Sequence, residues 1–171
     1  MGLLINESDP VAVRGPLATR YVQQFLRNVA WGDVDFLILD LPPGTGDIQL
    51  TIVQTAELDG VVVVTTPQEV ALIDARKAIG LFERVETPIL GIIENMSYFQ
   101  CPSDGKIYHI FGEGGGEREA AKLGVPLLGK IPLDISTRSG GDEGRPVALE
   151  DPGQNPVSAA FRQVAEQCAR V

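Results

Sequence analysis

Asp35-Phe36-Leu37-Ile38-Leu39-Asp40-Leu41-Pro42-Pro43-Gly44-Thr45-Gly46-Asp47-Ile48-Gln49-Leu50-Thr51 decides how this chain is read. Phe36 to Leu39 are a short, unbroken apolar run, which predicts a strand buried on both faces of a parallel sheet. The run ends in a carboxylate, Asp40. Pro42-Pro43 then makes a rigid corner, and Gly44 and Gly46 let backbone approach a ligand closely. Ligands of open α/β sheets sit beyond the carboxyl ends of the strands, so Asp40 is placed where a Mg²⁺-bound phosphate would lie. The competing role is a cap for the helix that begins near Asp47. Asp47 itself is better placed to cap, which leaves Asp40 for function.

Outward from that stretch the chain alternates. Residues 1–16 are rich in turn formers, and Pro16 suits the first turn of a helix to about Asn28 with Leu17, Tyr21, Phe25 and Leu26 on one face. Downstream, a helix from Asp47 to about Leu58 leads into Val61–Thr65, a second buried β-branched strand. Thr66-Pro67-Gln68-Glu69 has the form of a capping box. The helix it opens runs to about Val85, with Leu72, Ala75, Ile79 and Phe82 as its apolar stripe. A third strand spans Ile89–Ile93 and ends at Glu94-Asn95. A long loop over 97–116, a helix near Glu117–Leu123 and a fourth strand over Leu127–Ile131 follow. The tail Asn155–Val171 reads as an amphipathic helix carrying Val157, Phe161, Val164 and Cys168. Strands alternating with helices predict one α/β domain, doubly wound, with a mostly parallel sheet and helices on both faces.

Composition narrows the function. At 171 residues, 44% apolar and 22% charged, the chain has an ordinary globular composition. A net charge of −9 argues against nucleic acid and against anionic lipid, both of which need a basic footprint. No apolar run approaches the length of a membrane span and no signal-peptide pattern opens the sequence. Two cysteines, Cys101 and Cys168, do not make a disulfide framework, so a cytoplasmic location is expected.

Several stretches together carry a family resemblance. They are the Asp40–Thr51 segment, Met1-Gly2-Leu3-Leu4, Arg14-Gly15-Pro16, Glu94-Asn95-Met96-Ser97-Tyr98-Phe99, Ile110-Phe111-Gly112 and Ile131-Pro132-Leu133-Asp134-Ile135. Across nearly the whole chain this resembles the Mrp/ApbC iron–sulfur cluster carriers, relatives of MinD and of nitrogenase iron protein. The resemblance implies a P-loop-type ATPase that binds ATP and Mg²⁺ and passes a 4Fe–4S cluster to apoprotein clients as a homodimer. It gives Asp40 the magnesium ion through water, Gly44 an amide for the γ-phosphate, Asn95 the adenine edge and Pro132 the lining of the base. For Asn95 the other reading is a turn former bonded to its own backbone. Arg14 has no assigned role.

Half of a nucleotide site is absent from the sequence. The P-loop pattern G-x-x-x-x-G-K-[ST] is missing, since Gly105-Lys106 and Gly129-Lys130 lack the spacing, and Gly44-x-Gly46 is no dinucleotide fingerprint because Gln49 stands at the third glycine. The family carries a deviant P-loop on a strand upstream, and Met1-Gly2 aligns with an internal Met-Gly of its members. The expectation is an amino-terminally truncated chain, with ATP hydrolysis by this polypeptide alone absent or very weak. A central strand missing from the sheet would leave exposed edges and a poorly soluble or partly disordered chain.

The cluster motif is also altered. Family members begin a Cys-x-x-Cys at the position of Cys101, whereas this chain reads Cys101-Pro102-Ser103-Asp104. Three readings stay open: Asp104 or an external thiol completes a weaker cluster site, Cys101 is a plain loop cysteine, or Cys168 completes the set. His109, the single histidine, is expected to be a loop contact. Two rivals to the cluster carrier follow: a non-catalytic dimerisation module, and a MinD-like positioning ATPase. The second would need a basic membrane helix, and the tail offers only Arg162 and Arg170.

Overall fold

The computed structural model describes residues 15–42, 44 and 46–170, and the chain divides into two compact units between Glu57 and Leu58. Met1–Leu4, Arg14, Pro43 and Thr45 lie outside the described residues. In the amino-terminal unit, helix α1 (Gly15–Asn28) packs against helix α2 (Asp47–Thr55). The predicted stripe of α1 is only partly covered, with Tyr21 and Leu26 half-buried and Leu17 and Phe25 exposed. Neither Asp40 nor Asp47 is the N-cap of α2; Gly46 takes that position, without a side-chain cap.

The expected strand over Phe36–Leu39 is not observed. Residues 36–42 form neither helix nor ladder, and Phe36, Leu37 and Ile38 are 70%, 45% and 87% exposed. Hydrogen bonding gives the reason. A strand must pair its N–H and C=O groups with a neighbour, and the described elements of this unit are helices, which pair theirs internally.

The carboxy-terminal unit runs β1 (Val61–Thr65), α3 (Glu69–Arg84), β2 (Ile89–Glu94), β3 (Phe99–Gln100), β4 (Ile107–Tyr108), α4 (Gly115–Leu123), β5 (Leu127–Lys130), α5 (Ile135–Asp142), a 3-10 turn at Val147–Leu149 and α6 (Pro156–Cys168). β1, β2 and β5 form a parallel sheet with β2 in the centre, and β3 and β4 a separate antiparallel hairpin. One face of the sheet is closed by α3 and α4 around Val63, Ala75, Ile79, Ile92 and Ala120. Burying a side chain such as Ile92 stabilises the fold by about 1.5–3 kcal/mol. The whole predicted stripe of α3, Leu72, Ala75, Ile79 and Phe82, is buried. A register shift beside Ile92 brings Ile93 opposite Gly129, which lies beneath Val164 of α6 on the other face. Layers on both faces match the doubly wound expectation.

Local chemistry differs from the sequence reading in two places. The capping box at Thr66–Glu69 does not form: Gln68 is the N-cap of α3, and the Thr66 hydroxyl donates to Gln68 Oε1 at 3.1 Å. Pro67 is engaged elsewhere, its carbonyl pressed against Gly115 so closely that no Cβ would fit there. α5, unforeseen because Ser139-Gly140-Gly141 is poor helix material, is secured by Asp134, whose Oδ2 accepts from Thr137 N at 2.8 Å.

A charged clamp joins α3 to α4. Arg76 Nε and Nη2 donate to Glu119 Oε2 and Oε1 at 2.8 and 2.6 Å, and Lys122 Nζ reaches Oε1 at 2.8 Å. The Arg76 hydrogen bonds hold the Glu119 carboxyl down at about 2 against an ordinary value of 4.5, although burial opposes the shift. A depressed folded pKa contributes stability above the unfolded value, lost as pH falls toward the folded one. Urea unfolding should therefore show a loss between pH 4.5 and 2 that is missing in Glu119→Gln. Arg76→Ala should lower the urea midpoint at neutral pH and remove this pH dependence, since the charge-assisted bonds to the Glu119 carboxylate are lost.

Candidate functional site

The amino-terminal unit carries Asp40 and Gly44. Asp40 is exposed, and its carboxylate has no hydrogen-bond or ion-pair partner among the described residues. Gly44 lies at φ +97°, a conformation that costs glycine nothing and strains other residues. The loop holding both is tied to α2 by Gln49, a 3% exposed side chain whose Nε2 donates to Pro42 O at 2.7 Å and Gly44 O at 2.9 Å. Sequence reasoning saw Gln49 only as a missing glycine. The available signal was an amide in the first turn of α2, between the apolar Ile48 and Leu50.

In the carboxy-terminal unit, Asn95 and Pro132 leave the carboxyl ends of the neighbouring strands β2 and β5. They are held together there by Ile131 N donating to Glu94 O at 2.9 Å and Ser97 N donating to Ile131 O at 3.0 Å. Asn95 Oδ1 accepts from Met96 N at 2.9 Å, and Met96 sits at φ +52°. This is the turn-forming arrangement, and it leaves the Nδ2 hydrogens of Asn95 without a partner among the described residues. Pro132 is buried.

Between them lies a group that sequence reasoning passed over. Glu94 is fully buried at the end of β2, with one carboxyl oxygen accepting from the Ser97 hydroxyl and the other from Gly116 N at 2.6 Å. Gly116 belongs to the first turn of α4, preceded by Gly114 at φ +64° with no capping side chain. The glycine-rich run Gly114-Gly115-Gly116 looks like a phosphate cradle, but its Gly116 amide is committed to Glu94. A charge closing the apolar strand Ile89–Ile93 was the sign of this in the sequence.

Cys101 and Asp104 come together in the turn between β3 and β4, closed by Gly105 N donating to Cys101 O at 2.9 Å and Cys101 N to Lys106 O at 2.8 Å. Ser103 Oγ lies 3.0 Å from Cys101 Sγ. Its hydrogen bond lowers the Cys101 thiol below the usual range, while the Asp104 carboxylate opposes this through its side chain. Asp104 accepts from Lys106 N at 3.1 Å and pairs with Lys106 Nζ at 3.3 Å. Burial instead raises the thiol of Cys168 on α6, outside this turn. Iodoacetamide at neutral pH should therefore label Cys101 before Cys168, with Ser103→Ala slowing the Cys101 reaction, as peptide mass spectrometry would show.

Among the described residues, no group of three or more His, Cys, Asp and Glu side chains is arranged to hold a metal ion. The Cys101 turn presents one thiol with an adjacent carboxylate. His109 is a loop contact, its Nδ1 3.4 Å from Ser97 O and its Nε2 3.7 Å from Glu113. Among the described residues, no helix is long and apolar enough to cross a membrane.

The carboxy-terminal unit, a parallel sheet layered by helices with Asn95 and the Cys101 hairpin beyond the carboxyl end of β2, has the α/β architecture that P-loop NTPases share. The ParA family model, described as a NUBPL iron-transfer P-loop NTPase, matches residues 1–169, and the chain belongs to that family. It is 48% identical over 167 residues to the iron–sulfur cluster carrier protein of Pyrococcus furiosus, covering 98% of this chain and 56% of that relative. The iron–sulfur cluster carrier protein of Escherichia coli is 47% identical, over 99% of this chain and 46% of the relative. Among solved structures, a nucleotide-binding protein from Archaeoglobus fulgidus in complex with ADP aligns with a TM-score of 0.68 at 43% identity, over 75% of this chain and 53% of that one. The chain thus spans about half the length of the curated relatives it matches.

Proposed function

We propose that this chain acts in iron–sulfur cluster transfer, binding ATP with Mg²⁺ and carrying a 4Fe–4S cluster between two copies of itself to apoprotein clients. The observation that carries the reading is the Cys101 hairpin, a thiol in a tight turn beside the Ser103 hydroxyl and the Asp104 carboxylate, within a chain whose relatives are named cluster carriers. Asp40 is assigned to the magnesium ion through water, Gly44 to the γ-phosphate, and Asn95 and Pro132 to the base. The free Nδ2 of Asn95 supports its part, because an amide can donate to a base edge while its oxygen holds the turn. Magnesium would offset the charge of the phosphates.

Cys101 supplies the cluster with soft thiolate sulfur, and Asp104 stands in for the second ligand. Anaerobic reconstitution with iron and sulfide tests this. Bound iron with equal sulfide, at a level below the roughly four irons per two chains that four thiolates would hold, is the expected result. A chain that binds no iron supports the second reading, a dimerisation module without cargo, which the replacement of a thiol by Asp104 favours.

A further inference from the structure

We infer that Gln49 is the positioning residue of the phosphate-facing loop, holding Gly44 in its ligand-ready conformation before any nucleotide arrives; this rests on the role proposed above for Asp40 and Gly44. Gln49 is nearly inaccessible, yet both hydrogens of its amide are used on loop carbonyls, Pro42 O at 2.7 Å and Gly44 O at 2.9 Å. The start of α2 has no side-chain cap at Gly46. Among the described residues, the Gln49 amide ties Pro42 and Gly44 to the helix.

The chemistry of the contact is specific. Two carbonyl oxygens facing one point need a double donor, and a primary amide supplies it. Glutamate has the same shape but presents oxygens to oxygens, methionine fills the space with no donor, and asparagine is one methylene too short. With its carbonyl turned inward and φ at +97°, Gly44 is set in one orientation. A loop ordered in advance spares the ligand that ordering cost, so Gln49 should affect the contact to the last phosphate and little else of the nucleotide.

The full chain and its Gln49→Glu and Gln49→Met variants would be titrated with magnesium and either ADP or a non-hydrolysable ATP analogue. Amide hydrogen exchange would be followed at Gly44 and Gly46, with Ile52 and Val53 as helix controls. The expected result is about a tenfold loss of affinity for the ATP analogue, the scale of one lost charged hydrogen bond, with ADP affinity unchanged. Exchange should be faster at Gly44 and Gly46 and unchanged at Ile52 and Val53. Equal losses for both nucleotides, faster exchange throughout α2, or unaltered exchange at Gly44 would each overturn the inference while leaving the site reading intact. An unsubstituted chain that binds neither nucleotide would overturn the site reading and the inference with it.

Discussion

Asp104→Cys is expected to give the largest functional gain available to this chain: after anaerobic reconstitution, stable binding of about four irons per two chains, whatever weaker level the unsubstituted protein reaches. The geometry is already in place. Residues 101–105 close a tight turn through Gly105 N and Cys101 O at 2.9 Å, bringing positions 101 and 104 together, and the Asp104 carboxylate is near enough to affect the Cys101 thiol. The substitution changes the ligand's softness while the turn stays. Thiolate matches iron–sulfur chemistry better than carboxylate, and two chains would then supply four thiolates instead of two. What is given up is an exposed ion pair with Lys106 and one bond to its amide, a loss a surface turn tolerates. Iron and sulfide assays with the thiolate-to-iron absorption band would follow it, with Asp104→Ser as the control. Equal iron in Asp104→Cys and the unsubstituted chain would show that position 104 does not face the cargo.

Glu94→Ala should be the most damaging single substitution in the carboxy-terminal unit, lowering unfolding free energy by about 3–5 kcal/mol through two stranded buried donors and a small cavity. Domains of this kind hold roughly 5–15 kcal/mol in all, so the variant should be largely unfolded in mild urea. The damage should extend past Glu94 itself, because its oxygens join the end of β2 to the Ser97 turn and the start of α4. Glu94→Gln should cost much less, since its oxygen still accepts from Gly116 N while the Ser97 hydroxyl turns to accept from the new amide. Urea midpoints at neutral pH would separate the two variants. A loss under about 1 kcal/mol for alanine would mean that water or another group satisfies both donors.

The exposed run Phe36-Leu37-Ile38 bears on how the protein behaves in solution. Contiguous apolar side chains at 70%, 45% and 87% exposure invite association. Phe36→Lys with Ile38→Lys should reduce light scattering without lowering the unfolding midpoint of the carboxy-terminal unit.

Much of this molecule is dictated by the chain alone. Val61–Thr65 and Ile89–Glu94 are β-branched and apolar enough to be read as strands of a parallel sheet. The spacing of Leu72, Ala75, Ile79 and Phe82 fixes the buried face of α3. These are local patterns, and local patterns are set by side-chain periodicity and turn chemistry. Three things needed tertiary structure. Phe36–Leu39 has the composition of a strand and no ladder, because pairing depends on a neighbour that composition does not supply. Glu94 looked like the polar end of a strand, and only the approach of α4 and Ser97 shows that it binds two buried donors. Gln49 appeared as the absence of a glycine, whereas the path of the loop over α2 brings two carbonyls to its amide. Periodicity is written along the chain, but the hydrogen-bond partner of a buried polar group is chosen by whatever the fold brings beside it.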